Sequence, residues 1–117
     1  MEEIKKDGER TWYLVKEWTT KAGNKARIHK CEWSPLIQKT APSLHNFYCG
    51  YVQVPADAKI DEEKIGVHGG ITFSKGKLLE ENGEWVGFDM AHLGDENVQD
   101  LDYAVAECEK LAAQVNL

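Results

Sequence analysis

Val67-His-Gly-Gly-Ile-Thr-Phe-Ser74, a charged connection Lys75-Gly-Lys-Leu-Leu-Glu-Glu-Asn-Gly-Glu84, and Trp85-Val-Gly-Phe-Asp-Met-Ala-His-Leu-Gly-Asp95 decide the reading of this chain. Ile71 to Ser74 has the apolar and β-branched character of a strand. Lys75-Gly76 reads as a tight turn, and Lys77 to Glu81 as the returning strand. Asn82-Gly83 gives a further hairpin signal, because both residues accept the positive φ of a type I′ turn. Trp85 to Asp89 then completes a three-stranded meander. On this reading the turns place His68 and the Asp89 to Asp95 loop at one end of the sheet, which gathers His68, Asp89, His92 and Asp95.

Upstream, Thr11 to Trp18 is aromatic and β-branched, Lys21-Ala-Gly-Asn-Lys25 is a turn, and Ala26 to Cys31 returns as a second strand. Glu32 to Asn46 holds Pro35 and Pro42 and no lasting period, so it is expected to be a loop with one helical turn near Leu36 to Lys39. Phe47 to Val54 is a strand closed by Pro55, followed by a polar excursion over Ala56 to Lys64. Downstream, Leu101, Val105, Cys108, Ala112 and Val115 recur at helical spacing, with Ala104 and Leu111 widening the stripe. Asn97 or Asp100 is placed to cap that helix, and Glu107, Glu109 and Lys110 are expected to face water. The fold expected is α+β: a twisted antiparallel sheet of about five to six strands with one long C-terminal helix packed on a face. The whole chain 1–117 reads as a single domain, with an N-terminal hairpin (11–31), a core sheet (47–96) and the helix (98–116).

Composition narrows the function classes. A chain of 117 residues with 42% hydrophobic content, four Trp, four Tyr and three Phe carries a packed core. Its net charge of −6 opposes extended nucleic-acid binding, which is built on Lys and Arg contacts to phosphates. No apolar run reaches the roughly 20 residues that span a bilayer, and the charged start Met1-Glu-Glu-Ile-Lys-Lys lacks a signal-peptide core. Cys31, Cys49 and Cys108 are odd in number and lack Cys-x-x-Cys spacing, the pattern of free thiols in a reducing cytoplasm. Ser74 and Thr72 have no nucleophile elbow, and no phosphate loop or dinucleotide fingerprint is present.

Cys49-Gly-Tyr-Val, Val54-Pro, Val67-His-Gly-Gly-Ile-Thr-Phe-Ser, Gly87-Phe-Asp-Met-Ala-His-Leu-Gly-Asp95 and Glu107-Cys-Glu-Lys-Leu together resemble a family of small proteins encoded by bacteriophages and prophages. The likeness runs from about Cys49 to Val115; Met90 departs from it, where the family has a small residue or cysteine. The resemblance implies an accessory protein in a bacterial host cytoplasm, of the kind that blunts host defence. It brings no catalytic residue.

Three functions fit the residues. The first is a pocket that holds a small anionic or nucleotide-like ligand without altering it, and needs no cofactor. Gly69, Gly70 and Gly94 would offer backbone N–H groups to an anion. Trp85, Phe88, Tyr51 and Trp12 would stack a base, and Arg27 or Lys25 would meet a phosphate. His68, Asp89, His92 and Asp95 complete that expected site. The plain alternative is that the aromatics are core and the glycines a strand entry. The second is an inhibitor that binds a host defence protein through Asp61-Glu62-Glu63, Glu80-Glu81 and Asp95-Glu96, set against ordinary loop solvation. The third is a metal-dependent hydrolase built on His68, Asp89, His92 and Asp95, set against a hydrogen-bonded turn. Thr11 to Trp18, read as an aromatic edge strand, also suggests a homo-oligomer.

Overall fold

The computed structural model describes residues 1–78, 81–92 and 94–116, with the side chains of Lys75, Glu81 and Asn82 left aside. Six strands, β1 (Glu2–Asp7), β2 (Arg10–Thr19), β3 (Lys25–Trp33), β4 (Phe47–Val54), β5 (Phe73–Leu78) and β6 (Glu81–Asp89), form one sheet in the order β1-β2-β3-β4-β6-β5. Every neighbouring pair is antiparallel. A short helix α1 (Pro35–Thr40) bridges β3 and β4, and α2 (Leu101–Val115) packs on one face of the sheet against β4 and β3. The architecture is the α+β one expected. No helix among the described residues is long and apolar enough to cross a membrane.

Hairpin chemistry explains the first half. Asp7 pairs with Arg10 across a two-residue turn whose Gly8 takes φ 60°, and Gly23, at φ 97°, serves the β2–β3 turn. β1 was not anticipated, since charged residues at Glu2, Glu3, Lys5, Lys6 and Asp7 mask a strand pattern. It covers Arg10 to Leu14 of β2, so that half of the Thr11 to Trp18 strand is interior and not the free aromatic edge the sequence suggested, while Val15 to Trp18 runs past the β1 pairing. A short, charged β1 is a poor template for further pairing. Ser34 accepts the Ile37 N–H to start α1, with Pro35 at its first position.

The second half departs from the three-stranded meander. Lys75-Gly76 is not a turn: β5 runs through it, with register shifts on both sides of Gly76. Asn82-Gly83 does not reverse the chain either, because Gly83 keeps a positive φ of 86° but lies within β6. Residues Leu79 and Glu80 of the expected return strand lie outside the described residues. The unit is therefore a two-stranded hairpin. This correction matters for the site, because a three-stranded meander leaves its first start and last end at opposite ends of the sheet. In a hairpin the two meet. The chain also reaches β5 by skipping a place, so β6 returns to fill the gap between β4 and β5.

The α2 face of the sheet is the larger core. Ala26, Ile28, Val52, Val86 and Phe88 meet Ala104, Cys108, Leu111 and Ala112, all buried. Gly50 is required there: a Cβ would sit 2.4 Å from the Phe88 ring and 2.6 Å from the Cys108 sulfur. Asp100 caps α2 by accepting the Asp102 N–H at 2.8 Å. Glu107 and Glu109 do not simply face water. Glu109 accepts the Trp18 indole N–H and the Lys21 N–H, and Glu107 accepts the His68 N–H, which ties α2 to β2 and to the β4–β5 connection. Gln114 adds a two-point clamp on the Gly66 backbone.

Candidate functional site at the open end of the hairpin

His68 lies in the loop before β5, Asp89 ends β6, and His92 and Asp95 follow it, so the hairpin brings all four to one end. His68 Nε2 is 2.9 Å from Asp95 Oδ1, and His92 Nδ1 is 3.2 Å from Asp95 Oδ2. Asp89 stands slightly outside, with Oδ1 3.5 Å from His92 Nδ1 and accepting the Ala91 N–H at 3.1 Å. Asp95 is the buried centre of the group. Burial works against its charge, but hydrogen bonds from His68 and from the His92 backbone N–H outweigh that and hold its carboxyl below the usual range.

Two residues that sequence reasoning did not place in the site hold it together. Tyr103, from the first turn of α2, sets its hydroxyl 2.9 Å from His68 Nδ1. Gln99 donates to the Met90 and Asp95 carbonyls and accepts the Tyr48 N–H, which stitches the loop to β4. Tyr103 was legible only as a polar residue one turn into an amphipathic helix. Gln99 had no signal beyond its place before the cap.

Two of the three glycine amides are committed elsewhere. Gly70 N–H donates to the Val67 carbonyl, and Gly94 N–H to Glu96. Asp89, Asp95 and Glu107 crowd this end, and the ion-pair partners of the two aspartates among the described residues are histidines. With carboxylates gathered here and two of the three glycine amides spent, the electrostatics suit a cation better than an anion. Gly69 is needed for a different reason. Its φ is 69°, and a Cβ would lie 2.5 Å from His92 Cε1.

Trp85 and Arg27 do not join the group. Trp85 is fully buried on the sheet face away from α2, and Arg27 is buried on β3 with its Nε 3.4 Å from Glu17 Oε2. Phe88 is core. The acidic segments do not make one surface: Asp95 is buried, Asp61 pairs with Lys64, Glu62 accepts from Ser74, and Glu80 lies outside the described residues.

The concave face of the sheet carries two adjoining hollows. A hollow of about 280 Å³ is lined by Lys5 and Asp7 of β1 and by Lys77 and Leu78 of β5, so the sheet coils until its two edge strands wall one space. A second hollow of about 330 Å³ shares Arg10, Trp12, Tyr51 and Phe73 with the first and reaches Asp89 and Ala91. The groove thus ends at Asp89, beside His92. Its aromatic rings are set edge to face, Tyr51 against Phe73 at 5.4 Å and Trp12 against Phe47 at 5.7 Å. Gly87 has no side chain because Tyr51 lies over it, 2.6 Å from where a Cβ would be.

His29 lines the first hollow, is 2% exposed, and its Nε2 has no hydrogen-bond partner among the described residues. Burial and the nearby Arg27 lower its pKa to about 4, so it is neutral at neutral pH. Arg10 is held between the Trp12 and Trp33 rings, 5.5 Å from each, and pairs with Asp7. The three cysteines are free and buried; burial pushes Cys31 up to about 11, Cys108 up to about 12 and Cys49 higher, which leaves no thiolate for nucleophilic chemistry. Compared with family models, curated proteins and solved structures, the chain matches none of them.

Proposed function

We propose that this protein binds and sequesters a small, flat, anionic ligand of nucleotide-like chemistry in the concave groove, without reacting with it. One observation carries the reading: Trp12, Tyr51 and Phe73 line a hollow of ligand size whose rim bears Lys5, Arg10 and Lys77. Aromatic faces hold a base with roughly 1–3 kcal/mol each, and an arginine fork suits phosphate or carboxylate oxygens. The buried His29 Nε2 supplies an unspent polar contact at the floor, where a ligand heteroatom would satisfy it. Asp7 neutralises part of the rim and favours a ligand of modest charge over a polyanion.

This moves the expected ligand away from His68, Gly69 and Gly70 and keeps its class. The likeness to small phage proteins gives the setting: an accessory protein in an infected bacterium that withdraws a signalling or metabolic nucleotide. The test is native mass spectrometry of the full chain after incubation with a bacterial metabolite extract. A retained mass, released intact on denaturation and lost in Trp12→Ala and Arg10→Gln, supports the reading. A ligand recovered only as breakdown products, or one retained equally by both variants, overturns it.

A further inference from the structure

His68, His92 and Asp95 lie outside the lining of the groove, yet they form a closely organised polar group. One ligating atom from each lies within 4.8 Å of the others. The geometry points to a second, separate site: we propose that these three residues bind a divalent transition-metal ion of zinc-like chemistry, with solvent completing its coordination.

The donor set is the first argument. Neutral imidazole nitrogen and carboxylate oxygen are the ligands that zinc, cobalt and nickel share. Metal–ligand bonds of about 2.0–2.1 Å place tetrahedral donors about 3.4 Å apart. The His68–Asp95 and His92–Asp95 contacts, 2.9 and 3.2 Å, are already near that spacing. The two contacts fall on different oxygens of Asp95, so the imidazoles have to draw in toward each other and toward one shared carboxylate oxygen, from ligating atoms that already lie within 4.8 Å.

Support from outside the three residues is the second. A ligating imidazole almost always has its other nitrogen held by an oriented partner. The Tyr103 hydroxyl holds His68 Nδ1 at 2.9 Å, and a hydroxyl both donates and accepts. With Nε2 protonated toward Asp95, Tyr103 donates to Nδ1. With Nε2 on a metal, the imidazole proton sits on Nδ1 and Tyr103 accepts it. Neither state leaves a group unsatisfied. Glu107 fixes the same histidine through its backbone N–H at 2.8 Å.

Charge and access complete the case. Asp89 and Asp95 are countered by histidines and by no lysine or arginine among the described residues. A divalent ion would supply positive charge without protons. Asp95 is buried, whereas the His92 side chain is 44% exposed, so an ion reaches the cluster from the His92 side. Gly69 leaves room for that ring.

The experiment uses the full, tag-free chain stripped with EDTA and titrated with ZnCl₂ against a chromophoric chelator, then with CoCl₂ followed by visible absorption. The expected result is one ion per chain and a four-coordinate cobalt spectrum. His92→Ala, at an exposed side chain that leaves the fold intact, and Asp95→Asn should each weaken zinc binding by about 100-fold or more. Tyr103→Phe should weaken it by roughly 10–100-fold, as loss of an outer partner does. Absence of stoichiometric binding, or zinc affinity unchanged in His92→Ala, overturns the proposal and leaves the cluster a hydrogen-bonded latch. The groove reading stands or falls separately.

Discussion

Gly69 shows how one residue binds backbone conformation to the site. An L-residue at its φ of 69° costs roughly 1–2 kcal/mol, and a methyl group there would strike the His92 ring at 2.5 Å. Gly69→Ala should therefore destabilise the chain by about 2–3 kcal/mol in urea unfolding. In a His92→Ala background only the backbone part, about 1–2 kcal/mol, should remain. Equal costs in both backgrounds would show that the ring contact is unimportant. His29 makes the opposite kind of prediction. Its folded pKa of about 4 lies below the 6.5 of the free side chain, so the unfolded chain takes up the proton first. Stability should fall as pH drops from about 6.5 to about 4 and level off below, by up to roughly 3 kcal/mol. His29→Gln should remove that slope in denaturant titrations at several pH values. Single residues were legible where types are rare: His68, Asp89, His92 and Asp95 stood out as chemistry at strand ends, and the structure brings them together. Trp85 and Arg27 misled because the sequence could not show that both are buried along strands, away from that end.

Among the elements, β4 and α2 form the contact on which the fold turns. Gly50 lets Phe88 and the Cys108 sulfur close over the strand, so Gly50→Ala should cost about 1–3 kcal/mol by overpacking, read as a lower urea midpoint. Asp100→Ala should cost about 1 kcal/mol through the lost cap, read the same way. α2 was readable because its apolar residues recur at 3.6-residue spacing and Asp100 punctuates the start. The β5–β6 hairpin was misread because Gly76 and Gly83 both look like turns. Gly83 faces the Gln53 side chain, where a Cβ would lie 2.4 Å from Nε2, so it answers a cross-strand crowding that local sequence does not encode. β1 was missed because its charged residues conceal the alternation, although Asp7-Gly8 was a usable turn signal.

At the scale of the molecule, coiling of the sheet makes the groove, since Lys5 on β1 and Lys77 on β5 are 72 residues apart in sequence and line one hollow. No periodicity reports that closure, so the groove could not be read from the chain, although Trp12 and Tyr51 were among the aromatics expected to stack a base. Reversing both rim charges, Lys5→Glu with Lys77→Glu, should leave stability within about 0.5 kcal/mol because both side chains are exposed. The same change should weaken an anionic ligand by about tenfold or more in equilibrium binding. The ligand is proposed to enter the groove and not the His68 end. Two-dimensional NMR of the labelled full chain, with a bacterial metabolite extract added, tests it most directly. Shifts are expected at the Trp12 indole and the His29 ring, with the His68 and His92 rings unmoved. Shifts confined to His68 and His92, with Trp12 and His29 unchanged, would contradict it.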